Sequence, residues 1–123
     1  MFMGAKISKA KRPKRRWIGI SFSEGIQSRT ALRSALSDWV FLDCDFKLYD
    51  AHFAGSQVGK SAKQHCSLED DAGFAIVRVL LKDYESIRHR IKSAQNHTVQ
   101  SHTSSGKLRL VRERMGLPKP QQR

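Results

Sequence analysis

Acidic residues are scarce in this chain. Eleven Asp and Glu face 23 Lys and Arg, which leaves a formal charge of +12. With so few acids, no carboxylate metal site is expected. The surplus of cations favours a polyanionic partner, because each phosphate contact releases condensed counterions. Cysteine is also sparse. Cys44 and Cys66 are too few for a tetracysteine zinc site and form no C-x-x-C pair. They are expected to be reduced. Long apolar runs are absent: none nears the ~18 residues of a spanning helix. No apolar stretch follows the N-terminal basic residues, so no secretory signal is expected, and the expected location is cytoplasmic, with no membrane partner. What remains is 123 residues, 39% of them hydrophobic, enough for one domain with one modest core.

The first 16 residues hold Lys6, Lys9, Lys11, Arg12, Lys14, Arg15 and Arg16 and no acid. With Pro13 among them they read as a flexible basic arm. Residues 17–116 read as a single α+β domain and 117–123 as a tail. Trp17 to Phe22 alternates as a strand, with Ile18, Ile20 and Phe22 on one side. Ser28 is an N-cap for a helix whose face carries Leu32, Ala35, Leu36, Trp39 and Val40. Phe46 to Ala51 is a second strand, with Phe46 and Leu48 opposite Lys47 and Tyr49. The polar stretch 55–71 reads as a loop. Phe74 to Leu80 is a third strand, and Asp83 caps a helix lined by Tyr84, Ile87, Ile91 and Ala94. Thr98 to Ser101 is a fourth strand. Leu108 to Met115 is a final helix, capped by Ser105 and stopped by Gly116 and Pro118.

The order β-α-β-β-α-β plus a C-terminal helix predicts a four-stranded antiparallel sheet with two helices on one face, ferredoxin-like or RRM-like. The core would hold Ile18, Ile20, Phe22, Leu32, Leu36, Phe46, Leu48, Val77, Val79, Ile87 and Ile91. The opposite face would carry Trp17, Tyr49, Phe74, Ile76 and Arg78. Aromatics and an arginine on an open sheet suit base stacking. A protein partner or the terminal helix, through Leu108, Leu110 and Val111, could cover the face instead.

Three motifs carry chemistry. Ala54-Gly55-Ser56-Gln57-Val58-Gly59-Lys60-Ser61 resembles a phosphate-cradling P-loop, which should be followed by a helix whose N-terminus faces the phosphates. The stretch after it is polar and ends in acids, so Lys60 and Lys63 read as loop charges. Gly73-Phe74-Ala75-Ile76-Val77-Arg78-Val79 resembles the RNP1 strand of the RRM, but aliphatic residues stand at two of its aromatic positions. His52, His65, His89, His97 and His102 have no metal-pair spacing, and a Cys66–His nucleophile pair is an alternative without further signal. At the final helix, Lys107, Arg109, Arg112 and Arg114 face a single acid, Glu113.

Together, Ile76-Val77-Arg78-Val79, the helix Tyr84 to Ala94 with its Ile87-Arg88 step, and Ser105-Gly106-Lys107-Leu108 leading into Arg112-Glu113-Arg114 resemble the ribonuclease P protein component 2 family. This is the small archaeal and eukaryotic-type subunit that pairs with a TIM-barrel subunit. The family usually has glycine, then Ile-Val-Arg-Val, a helix, a strand, and Ser-Gly-Thr-Ile opening a basic helix; here Lys107 stands in the threonine's place. Weaker similarity reaches back through Phe46–Asp50 and the first helix to Trp17–Phe22. The stretch 55–71 has no counterpart.

The resemblance implies a noncatalytic subunit of an endoribonuclease. In that family the RNA holds the Mg²⁺ ions and removes the 5′ leader of precursor tRNA. The protein binds no cofactor and stabilises the catalytic domain of the RNA, within a heterotetramer of two copies each of itself and the TIM-barrel subunit. Other ribonuclease P proteins complete the assembly, and precursor tRNA is met indirectly. The residues expected to meet RNA phosphates are Lys11, Arg12, Lys14, Arg15, Arg16, Arg78, Lys107, Arg109, Arg112 and Arg114. Trp17, Tyr49, Phe74 and Ile76 form the face expected to meet RNA or a partner. No catalytic or metal-binding residue is expected. The rival readings are a general RRM-like or ribosome-associated RNA binder and a small P-loop or Cys-His enzyme.

Overall fold

The structure, a computed structural model, describes residues 14–41, 44–93 and 99–118. Its elements are β1 (Arg15–Ser23), α1 (Arg29–Ala35) running into a π-helical turn (Leu36–Val40), β2 (Phe46–His52), α2 (Gln57–His65), β3 (Ala72–Leu80), α3 (Leu81–Ser93), β4 (Val99–Ser105) and α4 (Leu108–Met115). The fold is α+β. One four-stranded sheet has the order β2-β3-β1-β4, and each neighbouring pair is antiparallel.

Alternation within β1 and β3 divides the apolar residues between two faces. On one face Ile18, Ile20, Phe22, Ala75, Val77 and Val79 pack with Leu32 and Leu36 of the first helical segment and with Ile87 and Ile91 of α3. Burying each of these Val, Leu, Ile and Phe side chains contributes about 1.5–3 kcal/mol. Ten of the eleven expected core residues are buried here; Phe46 is half-buried. Phe46 instead stacks on the buried Phe41, with ring centroids 4.4 Å apart. Ser28 caps α1 as expected, accepting from the Ala31 N–H at 3.1 Å. The side chains of Trp39 and Val40, and residues Ala94, His97 and Thr98, lie outside the described residues.

The opposite face is not open. Phe74 and Ile76 are 0% exposed, packed with Ala62 of α2, Val111 and Met115 of α4, and Leu117. Gly19 permits the close approach of α4, since a Cβ there would collide with the Met115 sulfur. Gly116, at φ +72°, ends α4 in the left-handed conformation that glycine adopts without steric cost. Leu117 therefore belongs to the second core rather than to a tail.

The stretch read as a loop contains α2. Ser56 caps it, accepting from the Gly59 N–H at 3.0 Å. Val58, Ala62 and Cys66 then recur at helical spacing toward the second core. This stripe is one residue wide and starts before Ala62, so a polar composition hid it. Three other boundaries differ from expectation. Arg15 and Arg16 lie in β1, not in an arm. α3 starts at Leu81, whose N–H donates to the Lys14 carbonyl at 2.8 Å, so Asp83 sits in its first turn rather than at its cap. β4 runs on to Ser105 because β1 pairs with it as far as Trp17↔Ser105.

Candidate nucleic-acid interface

Register aligns one row across the sheet: Lys47 on β2, Arg78 on β3, Trp17 on β1 and Ser105 on β4 are successive partners. With strands about 4.8 Å apart, the row is roughly 14 Å wide. All four positions belong to the face that carries the second core. Arg15 is two residues before Trp17, on the same face. At the far end the Ser105 hydroxyl accepts from the Lys107 N–H at 3.1 Å, which ties the start of α4 to the row. Arg15, Lys47, Arg78 and Lys107 thus gather at one end of the sheet. Among the described residues, none of the four has a carboxylate within ion-pair distance.

Tyr49 organises the middle of this group. The Lys47 ammonium is 5.3 Å and the Arg78 guanidinium carbon 5.9 Å from its ring centroid. Arg78 also donates to the Tyr49 hydroxyl at 3.3 Å. The ring packs against the second core. Trp17 is half-buried against the second core, with the indole N–H buried and unpartnered among the described residues.

The remaining expected cations separate. Arg16 points to the other face, its guanidinium carbon 5.1 Å from the Tyr84 centroid; its Nε is buried without a partner among the described residues. Arg112 is ion-paired with Asp50, with both side chains about five-sixths buried (16% and 15% exposed), and its Nη2 donates to Asp50 Oδ1 at 3.3 Å. It is a structural tie between α4 and β2, not a free phosphate contact. Arg114 is exposed and donates to Thr103 Oγ1 at 3.3 Å and to the Ser104 carbonyl at 3.1 Å. Lys14 and Arg109 are exposed. Lys11 and Arg12 lie outside the described residues. Lys47 was not among the expected contacts, although its alternation with Leu48 placed it beside Tyr49.

Two corrections concern the motifs. Gly59-Lys60-Ser61 lies inside α2, and the Gly59 and Lys60 N–H groups are occupied by Ser56 Oγ and the Ser56 carbonyl, each at 3.0 Å. No backbone cradle for phosphate forms there. Ser105 does not cap α4; Lys107 takes the cap position without a side-chain bond to the helix. Both cysteines are free. Burial pushes the Cys66 thiol up from its ordinary range, which disfavours the thiolate a nucleophile needs. Among the described residues, no group of three or more His, Cys, Asp or Glu is placed to hold a metal ion. No described helix is long and apolar enough to cross a membrane.

No protein-family model, curated protein or solved structure matches this chain.

Proposed function

We propose that this chain is a noncatalytic RNA-binding subunit of ribonuclease P, assisting an RNA that removes the 5′ leader of precursor tRNA. The observation that carries this reading is the gathering of Arg15, Lys47, Arg78 and Lys107 at one end of the sheet, with no carboxylate within ion-pair distance among the described residues. Cations held together in this way repel one another unless a polyanion is present. The segments that resemble component 2 supply much of this region: Ile76–Val79 lies in β3, and Ser105–Leu108 joins β4 to α4. The strand order and the packing of α1 and α3 on one face support a ferredoxin-like reading of the fold. In this proposal the Mg²⁺ ions belong to the RNA, and the chain works in a heterotetramer with a TIM-barrel subunit, beside other ribonuclease P proteins, in the cytoplasm.

A single-strand binder stacking bases on Phe74 is less well supported, because α2 and α4 would have to leave the sheet first. The test is affinity purification of the tagged protein from its native cells at moderate salt. Ribonuclease P RNA together with a TIM-barrel protein is the expected recovery. Ribosomal RNA, mixed RNA or no RNA would overturn the proposal.

A further inference from the structure

We infer that the β2 side of the cationic row is a phosphodiester subsite that holds one backbone phosphate between Lys47 and Arg78 and reads no base. The inference rests on the RNA-binding reading and specifies how the contact is made. Lys47 and Arg78 are direct cross-strand partners, an arrangement of like charges that destabilises a sheet unless something offsets it. Tyr49 offsets part of it by placing both cations against its ring, at 5.3 and 5.9 Å. The same two side chains, with Arg15 and Asp45, line a cleft of about 320 Å³. Three cations and one carboxylate leave that cleft at +2, so a singly charged phosphodiester fits without overcompensation.

Base stacking has no surface here. The Tyr49 ring is engaged by the two cations and packed against the second core, and the neighbouring Ile76 is fully buried. Recognition is therefore electrostatic and independent of sequence.

The test titrates salt against binding of two labelled RNA hairpins of equal length, one with a GC-rich and one with an AU-rich stem. Lys47→Ala and Arg78→Gln should each reduce the slope of log affinity against log salt by about one unit, equally for both hairpins. Lys47 is exposed on an edge strand, so its variant retains the fold even if Arg78→Gln does not. Tight wild-type binding with an unchanged slope in Lys47→Ala would overturn the subsite and leave the RNA-binding reading standing. A loss confined to one stem sequence would also overturn it, since it would mean base readout. If the wild-type protein binds neither hairpin, the RNA-binding reading itself fails, and the subsite with it.

Discussion

At the scale of single residues, charge alone does not identify a contact. Arg112 and Arg78 look alike in the sequence, yet Asp50 neutralises one and an aromatic ring supports the other. Asp50 is held at φ +43°, a conformation Asp and Asn tolerate better than most side chains. Asp50→Asn should therefore keep the backbone and lose only the ion pair. Arg112→Gln leaves the carboxylate buried and unpaired, and is expected to cost about 2 kcal/mol. A double-mutant cycle in urea checks this; additive single effects would refute the tie between α4 and β2. His102 offers a second test. Burial holds its pKa below the ordinary 6.5, and its Nε2 shares a hydrogen bond with Ser21 Oγ at 2.7 Å. Well above pH 6.5 the ring is neutral in folded and unfolded chains alike, and stability is complete. As pH falls below that value the unfolded chain takes up the proton first, so stability drops until the folded-state pKa is passed. His52 is shifted the same way by burial, against an opposing pull from Asp50. Melting temperatures between about pH 8 and pH 5 should show this loss, and His102→Gln should reduce it, leaving the part that His52 supplies.

At the scale of elements, helices are legible when several apolar side chains share a face and illegible when one narrow stripe suffices. α1 and α3 announced themselves through Leu32, Leu36, Ile87 and Ile91. α2 shows only Val58, Ala62 and Cys66 among polar residues, and its cap, Ser56, is one serine among many. The docking of α4 depends on Gly19, which periodicity alone marks only as a small residue in a strand. Gly19→Ala should push against Met115 and cost about 1–3 kcal/mol. Met115→Ala should cost about 2–5 kcal/mol by leaving a cavity. Combining the two should cost less than their sum, because the smaller side chain makes room for the new methyl group. Thermal unfolding of the three variants checks this, and full additivity would show that α4 does not sit over Gly19.

At the scale of the whole molecule, the two cores on opposite sides of one sheet leave little of that sheet to meet a partner. The cationic end of the row is what remains, reinforced by the net charge of +12. Residues 1–13 add Lys6, Lys9, Lys11 and Arg12 with no acid. Deleting them should lower the salt slope of RNA binding by up to about four units if every cation meets a phosphate. A slope equal to that of the full chain would assign all of the contact to the folded domain.

The sequence by itself determined the α+β class, the four strands and nearly all of the first core, because those follow from local periodicity and charge. Its charge balance is also what the proposed polyanionic partner rests on. Tertiary structure decided the rest. The polar stretch 57–65 became a helix because the second sheet face needed cover, which is a demand set by residues distant in the chain. Lys47 joined Arg78 through strand register, and Arg112 left the set of free cations through its pairing with Asp50. Both outcomes depend on which strands and helices become neighbours, and no local pattern of side chains encodes that.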